Sequence, residues 1–467
     1  MIEYTATYTD QYQLTMAQVY YLKGHKEERA VFDYFFRKLP FNGGYAVFAG
    51  LEDLLSVLEN LRFSDEDMEY LHSLDFDPEF LDYLKTFKFK GNIYSSREGD
   101  LIFPTRPVLQ VEANIIEAQI IETLLLNILN FQTLIATKAN RMRFTAGTRK
   151  LLDFGLRRAQ GPGGYYASRA AVIGGFDSTS NVKAGLDYDI PVSGTMAHSF
   201  IQSYDDELEA FRHFAEQWPK NCVLLVDTYD TLNSGVSNAI TVAREMKSRG
   251  EQLKAIRLDS GDLAYLSKQS RSMLDEAGFE HVKIAASNQI DEHIIKSLLD
   301  QKAPIDLFGI GTSLVTGKPD AALDGVYKLA FSRGKPRIKL SENITKTTLP
   351  HLKQVFRILA DKQSMFGAEV ITMADENKVQ NMHHPFEPYK SLSLEGFIQE
   401  PLLHKVMENG VTVHTPRTLQ EIASYSQAQL KKLPEEFKRF EYPHVYKIGI
   451  SDSLKNERDK LIAYYKK

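Results

Sequence analysis

Five clusters of polar residues stand behind short apolar runs in the central part of the sequence: Gly194-Thr195 with His198, then Asp227, residues 257–262, Ser287-Asn288, and residues 309–313. These residue types suit a phosphorylated sugar. Asp227, Asp259 and Asp262 can accept from ribose hydroxyls or share a phosphate-bound magnesium ion, and Arg257 can balance phosphate charge. Glycine backbone at Gly309 and Gly311 lets an oxyanion approach closely, with Thr312 and Ser313 beside it. Singly, each residue has a bland explanation, because glycine after a strand is usually a turn device and aspartate there is often a helix cap. Packing does not require compatible chemistry behind five consecutive runs, and that coincidence points to a site.

His198 follows Pro191-Val192-Ser193-Gly194-Thr195, which leads into a helix expected to begin near Met196. The histidine would then lie in a first helical turn, beside free backbone N–H groups that favour an anion. A neutral imidazole nitrogen is a competent nucleophile, and phosphoryl transfer asks chiefly for in-line placement and charge stabilisation. Phosphorylation of His198 is therefore physically reasonable. No Cys, His or Glu spacing around it reads as a metal site, so no metal fixed by protein ligands is expected. The absence of a GxxxxGK[ST] loop means that any ATP site is not a P-loop. The adjacent His383 and His384 point in different directions on regular structure and read as peripheral.

The elements that must position these residues follow from periodicity. From about residue 170 to 330, apolar runs alternate with amphipathic stretches such as 236–249, which predicts parallel strands covered by helices. Strands are expected at 190–192, 223–226, 255–258, 282–285 and 305–308, in an α/β barrel whose reactive side chains gather at the carboxyl ends of the strands. An amino-terminal α+β domain is expected over 1–140, some of whose strands can join the carboxyl-terminal region. It has a strand at 30–37, short helices over 51–84, strands within 91–111 broken by Pro104 and Pro107, and a long apolar helix over 113–134. The barrel domain is then 141–353, and 354–467 forms a smaller third domain with a charged last helix.

The 467 residues are 43% hydrophobic and 25% charged, an ordinary globular balance, and the net charge of -5 offers no basic field for nucleic acid or an anionic membrane. The lone Cys222 forms no intramolecular disulfide, the first residues lack the features of a signal peptide, and no run of about eighteen apolar residues occurs. A cytosolic protein is expected.

Several motifs together resemble the nicotinate phosphoribosyltransferase family across almost the whole chain. They are TDQYQLTM at 9–16, DFGLRRAQ at 153–160, GTMAHS at 194–199, RLDSGD at 257–262 and GIGTS at 309–313. The resemblance implies the irregular TIM-like barrel of a type II phosphoribosyltransferase, acting on nicotinate and phosphoribosyl pyrophosphate with ATP and magnesium. It places Tyr12, Thr195 and Arg257 at the nicotinate ring and Thr312 at the phosphoribosyl group. It matches His198 to the histidine that the family phosphorylates, and Phe154 and Arg157 to the stacking ring and arginine of the related nicotinamide enzyme. Asp227, Asp259, Ser287, Asn288, Gly309 and Gly311 complete the expected site. The family pattern also implies a homodimer in which the amino-terminal segment reaches a neighbouring barrel. Without it, Tyr12 among Tyr4, Tyr8, Tyr20 and Tyr21 would read as helix packing. The competing readings are a nicotinamide phosphoribosyltransferase, a quinolinate phosphoribosyltransferase and a noncatalytic pyridine-nucleotide sensor.

Overall fold

The central apolar runs are too short to stand alone and are buried against one another as parallel strands. The computed structural model describes residues 4–387 and 389–466, and the chain divides into two units, Lys138–Ala321 and a composite of Met1–Thr137 with Ala322–Lys467. Residues 322–353, which the sequence pattern places with the barrel, thus belong by contact to the composite unit.

In the unit 138–321 the strands are β1 (Lys150–Asp153), β2 (Ser178–Thr179), β3 (Val223–Leu225), β4 (Ala255–Leu258), β5 (Lys283–Ala286) and β6 (Leu307–Ile310). They form one parallel sheet in the order β2-β1-β6-β5-β4-β3. By register Leu151, Leu224, Ile256, Leu258, Ile284, Phe308 and Ile310 share one buried face, whereas Leu152, Val223, Ala285 and Leu307 on the other face are only partly buried. The stretch 190–192 contributes only a parallel bridge from Val192 to Thr179, because Pro191 has no N–H to donate to a ladder. Helices Ser237–Ser248, Leu263–Glu276 and Glu292–Asp300 connect the later strands, the last two capped by Asp262 and Asp291. Before the first of these, Thr231–Val236 forms a π-turn against the end of β3, where a Cβ on Gly235 would meet the Val226 carbonyl oxygen at 1.8 Å. Only glycine fits there.

Among the described residues the composite unit holds three further sheets, the smallest a two-stranded pairing of Ala46–Val47 with Leu101–Ile102. In the seven-stranded one, Arg29–Phe36 lies between Gly325–Ser332 and Leu109–Asn114, antiparallel to both, so residues about 300 positions apart are direct neighbours. Phe32 stacks on Tyr327 across that pairing, with ring centres 4.6 Å apart. The six-stranded sheet is built around the hairpin of Lys353–Asp361 and Ser364–Met373. Its inner face carries a closed ion network. Glu369 pairs with Arg106 at 2.8 Å and with Arg357 at 2.8 Å, all three side chains being no more than 1% exposed. A second buried pair, Lys353 with Asp33 at 2.9 Å, is completed by Gln110. The long helix expected over 113–134 is two helices, Ile115–Ile120 and Glu122–Ala146. Among the described residues no helix is long and apolar enough to cross a membrane.

Candidate active site

Arg257, near the end of β4, ties the strand ends together. Its Nε donates to Ser287 Oγ at 2.8 Å behind β5, its Nη1 to Thr195 Oγ1 at 3.1 Å, and its Nη2 to Asp259 Oδ1 at 2.8 Å. Ser287 also donates to Asp259. The guanidinium lies 5.4 Å from the centre of the Phe154 ring, which comes from the turn after β1. That ring rests on Gly309 of β6, where an added Cβ would be 2.4 Å from it. The glycine therefore seats an aromatic side chain, a use distinct from the phosphate cradle expected at this position.

Asp227, directly behind β3, has a carboxylate only 1% exposed, and both of its oxygens are engaged. Oδ1 lies 3.2 Å from His198 Nε2, while Oδ2 accepts from the Asp259 backbone N–H at 2.8 Å and from Ser260 Oγ at 2.6 Å. A buried carboxylate so occupied orients its partners rather than receiving ribose hydroxyls. The imidazole itself is 38% exposed, held from behind and open in front. His198 opens a five-residue helix, His198–Gln202, with Ala197 as its cap. The helix starts two residues later than the sequence suggests and is too short for its dipole to account for much anion affinity.

Two cavities meet at this cluster, of about 300 and about 430 Å³, and share Phe154, Arg157, Arg257 and Asp259 in their walls. The smaller adds Ser287, Asn288, Gly309, Gly311 and Thr312; the larger adds Thr195 and His198. Asn288 has a left-handed φ of 102°, a strained conformation of the kind that gathers at ligand sites. Asp262 stays outside, capping helix Leu263–Glu276 by accepting from Ala264 and Tyr265 N–H. The arrangement offers three cationic or donor-rich walls to an anion, one partly open carboxylate in Asp259, and an imidazole pointing into the same space. Among the described residues no group of three or more His, Cys, Asp or Glu could hold a metal ion.

Family models match the chain in three stretches. Residues 149–389 match the nicotinate phosphoribosyltransferase family, 7–130 its N-terminal domain and 352–458 its C-terminal domain. The nicotinate phosphoribosyltransferase of Bacillus subtilis is 45% identical over 455 residues, covering 95% of this chain and 92% of that protein. The crystal structure of human nicotinic acid phosphoribosyltransferase superposes with a TM-score of 0.87 at 31% identity, covering 97% and 99% of the two chains. That of a nicotinate-nucleotide pyrophosphorylase from Pyrococcus furiosus gives 0.72 at 26%, covering 91% and 95%.

The chain belongs to the nicotinate phosphoribosyltransferase family. Of the residues in the unit 138–321 that the strand ends and the family motifs together single out, Phe154, Arg157, Thr195, His198, Arg257, Asp259, Ser287, Asn288, Gly309, Gly311 and Thr312 line the paired cavities, with Asp227 directly behind and Asp262 outside. Tyr12 belongs to the composite unit, 51% exposed in the first turn of helix Gln11–Leu22. Sequence reasoning missed Arg158, Gln289, Leu156 and Ser180, which also line the cavities of this nicotinate phosphoribosyltransferase-family chain. The doubled arginine of DFGLRRAQ was an available signal for Arg158. Ser180 gave none, because β2 is two residues long and has no periodicity to read.

Proposed function

We propose that this chain joins nicotinate to the ribose of phosphoribosyl pyrophosphate and couples that step to ATP through a phosphohistidine at His198. The observation that carries the proposal is the shared wall: Arg257 and Asp259 border both the lobe holding His198 and the lobe holding Ser287, Gly311 and Thr312. The ring nitrogen of nicotinate forms a bond to the anomeric carbon as the bond to pyrophosphate breaks, through an oxocarbenium-like state. That chemistry asks for positioning and charge stabilisation more than for a protein nucleophile. Asp259 faces the developing positive charge, Arg158 with Gly311 and Thr312 faces the departing pyrophosphate, and Phe154 offers its ring to the pyridine. Arg157, Arg257 and Thr195 supply the donors that favour a carboxylate over an amide.

Because Asp227 accepts at Nε2, that nitrogen carries the proton and Nδ1 presents the lone pair. Nδ1 would take the γ-phosphoryl group of ATP with release of ADP, and water would later return the group as phosphate. Magnesium would be held mainly by the phosphates of the substrates, with Asp259 the carboxylate free enough to share it. A homodimer in which a second copy brings Tyr12 to the ring is part of the same reading, as are a cytosolic location and a role in making NAD from nicotinate. The sheet is read as an irregular barrel, since Val192 and Gly194 beyond one edge and Val223 at the other line a common cavity of about 540 Å³ with Leu152, Ala255 and Ala285.

The test is incubation with phosphoribosyl pyrophosphate and magnesium, with and without ATP, offering nicotinate or nicotinamide, and identification of every product. Nicotinate mononucleotide, pyrophosphate, ADP and phosphate are expected. Faster use of nicotinamide would reassign the substrate, and absence of any nucleotide would leave a noncatalytic binder. In H198A the ATP stimulation should vanish while slow transfer persists, because the histidine powers the reaction without forming the glycosidic bond.

A further inference from the structure

Asp153, the last residue of β1, has no place in the chemistry above, yet both of its carboxylate oxygens are engaged. It is 1% exposed. Oδ1 accepts from the Gly155 backbone N–H at 2.8 Å, while Oδ2 accepts from Ser168 Oγ at 2.7 Å on helix Gly163–Gly174 and from Thr179 Oγ1 at 2.8 Å at the end of β2. Its own carbonyl oxygen accepts from Ser180 N–H at 2.8 Å. These donors are all neutral, so a carboxylate is held in the interior without a paired cation, an arrangement that costs stability and so calls for an explanation. What the bonds fix is informative. Gly155 N–H sets the turn that carries Phe154 and leads to Arg157, and Thr179 and the Ser180 N–H set the wall opposite, where Ser180 faces the lobe of His198.

We propose that Asp153 is a positioning residue for the transfer reaction, clasping the ends of β1 and β2 so that Phe154 and Ser180 stand at fixed separation across the larger cavity. The proposal rests on the function assigned above. A displacement of about 1 Å in a substrate-holding wall can cost about 100-fold in rate, so the clasp matters without touching substrate. The clasp needs a shape and two hydrogen-bonding ends, not a charge. The two hydroxyls can reverse and accept from an amide, with Ser168 donating to the Gly164 carbonyl at 3.0 Å and Thr179 to Ser168 at 3.2 Å.

The experiment compares the full-length wild type with D153N, D153A and T179V for kcat and the KM of nicotinate, with melting temperature in parallel. D153A should lose about 100-fold in kcat/KM. D153N should stay within about fivefold of wild type, because its amide rebuilds the clasp. T179V, nearly isosteric, should raise the KM of nicotinate about tenfold with kcat changed less, a sign of altered binding rather than lost chemistry. If D153N is as impaired as D153A while both are folded, the charge itself acts and the clasp is refuted; unchanged kinetics in T179V refute it too. If D153A does not fold, T179V and D153N decide. A crystal structure of T179V gives a readout independent of turnover. Phe154 or Ser180 should shift from the wild-type position, and unmoved walls would overturn the proposal even were the wild type to leave nicotinate untouched.

Discussion

Two charged clusters, one in each unit, are built in opposite ways. In the composite unit Arg106 and Arg357 are sealed from water with Glu369 and Asp100, two positive charges against two negative ones, and Lys353 is sealed with Asp33. In the unit 138–321, Arg257 is 14% and Asp259 26% exposed, His198 is 38% exposed, and Arg157 and Arg158 stand in the open. A closed ion network has spent its interactions on holding its own chain, whereas the strand-end cluster keeps cationic groups facing empty space. The first arrangement is architecture and the second is capacity for a ligand. That contrast separates function from structure better than the count of charged residues does.

The contrast can be broken most severely at Glu369. E369A strands two buried guanidinium groups and should lower stability by about 3–5 kcal/mol, measured by urea denaturation. A loss under about 1 kcal/mol would mean that the network is not what secures the hairpin. Next comes R257A, where the order of effects should reverse. Catalytic efficiency should fall about 100- to 1000-fold, while the melting temperature stays near that of wild type; a large drop in melting with normal kinetics would place Arg257 with the structural ions. A smaller effect is expected at Asp153, whose carboxyl is pushed up by burial despite its bonds to Ser168, Gly155 N–H and Thr179. A raised folded-state value means that the fold binds the proton more tightly. The group then favours the fold below its ordinary range, near about 3.9, and that benefit is lost as pH rises through the folded value. D153N lacks the titration, so its melting temperature relative to wild type should rise between about pH 3 and pH 7; a constant difference would show that the carboxyl is not perturbed. Least of all should follow at Cys222, which is buried with its thiol pushed up to about 12. Alkylating reagent at neutral pH should leave it unmodified in native protein, as mass spectrometry would report.

Much of the site was legible because its residues sit where short parallel strands end, and β4 falls at the predicted positions 255–258. The neighbouring strands β5 and β6 begin one and two residues later than expected, since apolar runs blur strand edges. What could not be read were contacts made by short or unpatterned pieces. The two-residue β2, the turn at 155–158 and the bond from Asp227 to His198 depend on tertiary placement that no spacing encodes. The resemblance named Phe154, but not the Gly309 surface on which its ring lies. Likewise nothing local in the stretch 325–332 marks it as the partner of the strand 29–36, because each is simply an apolar-rich strand.

That pairing governs how the molecule is made. A ribosome releases the strand 29–36 almost 300 residues before its neighbour 325–332, and the entire parallel unit emerges in between. The edge that awaits Gly325–Ser332 must stay unpaired through most of synthesis, at a pace of about 5–20 residues per second. A nascent chain stalled before residue 322 would hold every strand of the parallel sheet while the strand 29–36 still lacked one neighbour, the kind of open edge that invites aggregation.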